Sequence, residues 1–139
     1  MNSKYLDNET LYANMNNFVV ATRENPVIGT FALATCVGLL MYDDHNHFAL
    51  AHILHDYENI IKNMLSYMEN TAPIHITLIP GSDTTGEKLL EIIEFLKNRE
   101  HFLLYDFEIE VKKLNEYIDL NTESVEFKFD TRTHEFLKL

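Results

Sequence analysis

The chain predicts an α+β fold of the layered kind: a mostly antiparallel or mixed β-sheet with two main helices packed against it. Three observations carry this expectation. Two neighbouring apolar runs, residues 29–43 and 47–53, are separated only by a polar turn cluster. Two later stretches repeat apolar residues at helical spacing. Three further segments alternate apolar and charged residues, the period of a half-wet strand. At 139 residues the chain is long enough to bury a proper core, and the reading is one domain, 1–139.

Residues 1–16 are polar and rich in Asn, and are read as a loosely ordered segment with Tyr5, Leu6, Leu11 and Tyr12 as docking points. Residues 18–22, from Phe18 to Thr22, form a strand of aromatic and β-branched residues that Asn25-Pro26 breaks. The runs 29–43 and 47–53 then read as one hairpin around Asp43, Asp44, His45 and Asn46. Both faces of its strands are apolar, with Cys36, Leu40 and Tyr42 on one side and Val37, Leu39 and Met41 on the other. Strands of that kind are central and covered on both faces.

A first helix is expected from an N-cap at Asp56, with Ile60, Ile61, Met64, Leu65 and Met68 as its stripe, ending at Asn70 to Pro73. A strand follows at 75–79 and a turn at Pro80 to Asp83. Thr84-Thr85-Gly86-Glu87 fits a capping box that opens a second helix, whose buried face is Leu89, Leu90, Ile92, Ile93 and Leu96. No Gly-Lys-Ser/Thr completes a phosphate loop there. Strands at 107–111, 125–129 and 134–139 finish the chain, their glutamates forming solvated faces.

The hairpin brings chemistry with it. A turn centred on residue 44 sets Cys36 directly opposite His52, on one face. A neighbouring imidazole can take a thiol's proton and so activate it for nucleophilic attack. A slip of one residue would carry His52 to the other face and destroy the pairing. Taken singly, Cys36 reads as a small core hydrophobe and His52 as a satisfied buried histidine.

The pattern Thr30, Cys36, Val37, four apolar residues, Tyr42 and Asp43, followed after a turn by an apolar strand bearing His52, resembles the CheD-type chemoreceptor glutamine deamidases. Related Cys-His deamidase folds occur in bacterial toxins. The resemblance covers Gly29 to Ile53. It implies that Cys36 is the nucleophile, His52 the general base and acid, and Thr30 the residue that positions the histidine, with Thr35 beside the nucleophile as a substrate contact. It further implies a protein-glutamine deamidase acting through a thioester, without cofactor or metal, on a protein carrying a reactive glutamine. Two departures stand out. Ala34-Thr35 occupy the place where family members have Gly-Ser, and residues 74–81 replace the glycine-rich segment that normally follows the first helix. A transglutaminase-like thiol acyltransferase would use the same residues, and a non-enzymatic acidic binding module would keep only the fold.

Composition narrows the partners. A formal net charge of −11 argues against nucleic acid or an anionic membrane surface, both of which need a basic footprint. It is compatible with a basic protein substrate. No apolar run is long enough to span a bilayer. A single cysteine forms no internal disulfide, which suits a reducing compartment. No basic region leads into an apolar stretch near the start, so the expected location is the cytoplasm, or a destination reached without a Sec-type signal peptide. His45, His47, His52 and His55 crowd one region, but neither their spacing nor a second cysteine supports a zinc site.

Overall fold

In the computed structural model, residues 9–139 are described; the docking points expected at Tyr5 and Leu6 lie outside them. Within that range the chain runs β1 (Thr10–Tyr12), β2 (Asn17–Val20), β3 (Val27–Leu33), β4 (Val37–Tyr42), β5 (Phe48–Ile53), α1 (Tyr57–Leu65), β6 (Ile74–Pro80), α2 (Gly86–Leu96) and β7 (Phe107–Val111). A 3₁₀ turn at Asn115–Tyr117 leads into β8 (Ile118–Asp119), β9 (Ser124–Asp130) and β10 (Glu135–Leu137). The α+β expectation is met, with two sheets where one was expected.

The strands divide between two mixed sheets. One runs β1-β3-β9-β10 with β8 also on β9; the other runs β2-β5-β4-β6-β7. β1–β3 and β6–β7 pair parallel, the remaining neighbours antiparallel. Because β4 and β5 are apolar on both faces, they separate two cores. Val37, Leu39, Met41, Ala51 and Ile53 meet Ile61, Met64, Ile92 and Leu96 of the helices. Cys36, Leu40, Phe48 and Leu50 meet Ile28, Leu33, Phe127 and Phe129 of the other sheet. Coverage of both faces matches the expectation; the second cover is a sheet, not a helix.

That arrangement corrects the reading of residues 29–43 as a single strand. The chain crosses from one sheet to the other at Ala34–Cys36, so Thr30 and the β4–β5 hairpin belong to different sheets. Ala32 opens the corner at φ 59°, where the β3–β9 ladder slips between Thr30 and Leu33. A non-glycine residue there carries the strain of a β-bulge.

Smaller corrections follow. Leu11 and Tyr12, expected in a loose segment, form β1. Asp56 precedes α1 but sits at φ 60° and makes no side-chain cap. Its carboxylate accepts from Asn59 Nδ2 at 2.8 Å instead. The α2 cap is Thr85, accepting from Lys88 N, one residue later than the capping box placed it. Leu90 faces solvent, 54% exposed. Asp43 is a turn residue, as expected, and a busy one: buried, it accepts from the backbone of His45, His47 and Glu69 and from the His47 ring. Among the described residues no helix is long and apolar enough to cross a membrane.

Candidate functional site

The β4–β5 turn is longer than the sequence suggested, closing with Asp43 N–H on His47 O at 3.2 Å. The register therefore sets His52 opposite Gly38, and Val37 opposite Ile53. Direct opposition of Cys36 and His52 was wrong by two positions. An even slip preserves the face, however, so His52 still faces the layer between the sheets, the layer in which Cys36, just before β4, is also buried. Gly38, opposite His52, places no side chain on that face. A Cβ there would come within 3.3 Å of Leu33 Cδ1 and 3.4 Å of Ile79 Cβ.

Thr30 reaches His52 from the opposing sheet. Its Oγ1 lies 2.9 Å from His52 Nδ1 and 2.9 Å from the carbonyl oxygen of Ala13. A carbonyl only accepts, so the single hydroxyl proton goes to Ala13, and the ring must donate from Nδ1. This fixes the tautomer: Nδ1 carries the proton and Nε2 holds a free lone pair. Nε2 is buried and, among the described residues, has no hydrogen-bond partner. Burial, reinforced by the positive charge of Lys88, holds the imidazole below its ordinary value of 6.5 and keeps it neutral.

Cys36 closes the constellation. Burial raises its thiol above the ordinary 9.0, and the charge of Lys88 opposes that rise. Thiol and imidazole are thus both neutral at rest, and no hydrogen bond joins them. Cys36 and His52 are each 3% exposed. Thr35 next to the cysteine is exposed, and Leu54, following β5, is half-buried.

The corner carrying Cys36 is clamped by the loop after β6, a feature the sequence reading missed. Ser82 N donates to Leu33 O (3.1 Å), Asp83 N to Ala34 O (2.8 Å) and Gly81 N to Cys36 O (3.1 Å). Thr84 Oγ1 donates to Cys36 O at 2.6 Å while accepting from Gly81 N at 2.8 Å. Lys88 Nζ donates to Thr35 O at 3.2 Å. Gly81 is required by contact, because a Cβ would fall 2.4 Å from Ala34 O and 2.6 Å from Leu33 O. Trans peptides set each N–H opposite the preceding carbonyl. With the carbonyls of Ala34 and Thr35 turned to the clamp, the N–H groups of Thr35 and Cys36 point away from it.

The other histidines are used elsewhere. His45 contacts Glu69 at 3.3 Å, His47 contacts Asp43 at 2.7 Å, and His55 is exposed. Among the described residues no group of three His, Cys, Asp or Glu side chains is arranged to hold a metal ion. No protein family matches this chain on comparison, and no curated protein matches it either.

Proposed function

We propose that this chain is a protein-glutamine deamidase that works through Cys36 and His52. The observation that carries the reading is the Thr30–His52 hydrogen bond, which dictates the Nδ1–H tautomer and leaves a buried, unpartnered Nε2 on the same inter-sheet layer as the thiol. The resemblance of residues 29–53 to CheD-type deamidases supports the same assignment.

In this mechanism Nε2 takes the thiol proton as sulfur attacks the side-chain carboxamide carbon. The N–H groups of Thr35 and Cys36 hold the developing oxyanion. The intermediate collapses to a thioester, and ammonia leaves with the proton returned by His52. Water, activated by the same Nε2, then releases glutamate and restores the thiol. The contribution of Thr35 is through its backbone. Because the thiol is neutral at rest, proton transfer accompanies attack, as in a serine hydrolase. The acidic chain suits a basic protein substrate, met either in the cytoplasm of the producing cell or in a cell to which the protein is delivered.

The 3% exposure of both reacting side chains favours a second reading, a non-enzymatic binding module in which Cys36 fills the core. One experiment separates the two: mass spectrometry of glutamine-containing proteins incubated with wild type and with Cys36→Ala. Amide-to-acid conversion that disappears in the variant supports the deamidase. Conversion that survives it refutes the mechanism. Added primary amines appearing on the glutamine would redirect the assignment to an acyltransferase.

A further inference from the structure

Lys88 occupies a position that helix electrostatics disfavour. It lies in the first turn of α2, where the unpaired N–H groups already create positive potential and an acidic residue is preferred. With Thr85 as the cap, Lys88 holds the place a capping-box glutamate would take. The chain carries 22 acidic residues. Among the described residues, though, the one hydrogen bond of the Lys88 ammonium goes to a neutral carbonyl, that of Thr35. It is also half-buried. A residue that breaks a local rule in this way marks a functional demand elsewhere.

From this geometry we infer that Lys88 is a positioning residue for the Cys36 site, fixing the Thr35–Cys36 peptide and supplying the positive charge that sulfur and oxyanion need. Its bond to Thr35 O orients that peptide so that the Cys36 N–H faces away from the clamp. An ammonium on the carbonyl also strengthens the dipole of that N–H as a donor. The charge favours a sulfur anion and disfavours an imidazolium. The first effect assists the attacking sulfur; the second keeps the base neutral at rest and weakens it as it takes the proton. The ionisable neighbours to be kept in view are His52 on β5, Asp83 in the clamp and Glu87 beside Lys88 on α2. The purpose assigned to Lys88 rests on the deamidase reading; its effect on the thiol does not.

The test compares Lys88→Met and Lys88→Arg with wild type in two titrations: the pH profile of Cys36 alkylation by iodoacetamide, and the pH dependence of the His52 ring signals in NMR. Loss of charge moves both midpoints upward. A mere loosening of the packing would relieve burial instead, moving the thiol down and the imidazole up. The methionine variant should raise the alkylation midpoint by about one pH unit, a roughly tenfold loss of thiolate below it, and the arginine variant should recover most of that. A superimposable profile, or a thiol midpoint that falls, overturns the inference. Where wild type hydrolyses glutamine, Lys88→Met should lower kcat with KM little changed. A wild type inactive on every glutamine while the alkylation shift persists would remove the deamidase reading and leave the electrostatic role of Lys88 intact.

Discussion

Replacing Thr30 with Val keeps the shape of a fully buried side chain and removes its hydroxyl. Two buried partners then lose their only bond through that oxygen: the Ala13 carbonyl and the His52 Nδ1–H. Orphaning a buried polar group costs about 1–3 kcal/mol, so the pair predicts a loss of roughly 2–6 kcal/mol. Against a total stability of about 5–15 kcal/mol that is a large fraction. Urea unfolding at pH 8, where His52 is neutral, measures it. Thr30→Ser retains the hydroxyl and gives up one methyl, so its loss should be about 1 kcal/mol. Long-range ¹⁵N–¹H NMR supplies the second readout, because it distinguishes the two ring tautomers. Wild type and the serine variant should show Nδ1–H, and the valine variant a mixture. A valine variant that loses less than about 0.5 kcal/mol and keeps pure Nδ1–H would refute the account of how the histidine is held.

Gly81→Ala forces a Cβ against backbone atoms of Leu33 and Ala34 that cannot yield, so the clamp must open. The expected cost is about 2 kcal/mol or more by thermal or urea unfolding, with faster alkylation of Cys36 as its cover loosens. Ala32→Gly relieves the left-handed strain at the corner and should be neutral or stabilising by up to about 1 kcal/mol, whereas Ala32→Val should destabilise. His52 is held below its unfolded value of 6.5, so its contribution is fully present above that pH and is lost as pH falls through the depressed folded value. Stability should therefore begin to decline below about pH 6.5, and His52→Gln should flatten that part of the profile. For Asp43, burial pushes the carboxyl up, but hydrogen bonds from the Glu69 and His47 backbone, the His47 ring and the His45 backbone outweigh it and hold it below 3.8. Its contribution is present above that value and lost as pH falls through the lowered one, an acid limb that Asp43→Asn should abolish in a stability–pH series.

The two cores, the helices and most strands were legible because periodicity reports how many faces of an element are dry. The all-apolar hairpin announced cover on both sides, and the alternation of Val125 to Phe129 announced one. What periodicity cannot report is a change of sheet within an unbroken apolar run. No glycine or proline stands at Ala34–Cys36, and the crossing is made by a bulge with alanine in a left-handed conformation. β1 went unread because it is three residues long and pairs in parallel with a distant partner. The register error came from turn length, which composition specifies poorly. It left His52 on the face toward the other sheet only because the slip was even. Gly81, Thr84 and Lys88 act on residues about fifty positions away in sequence, through backbone atoms, so no local pattern betrays them.

The imidazole belongs to one sheet and the hydroxyl that orients it to the other. Neither sheet alone fixes which ring nitrogen carries the proton; that is set when the two dock. A chain still threading, nascent or partly melted would carry an imidazole free to take either neutral form, and the Nδ1–H form would be selected only with the last packing event. The ring's protonation pattern is thereby a property of the docked layers, lost at their first parting.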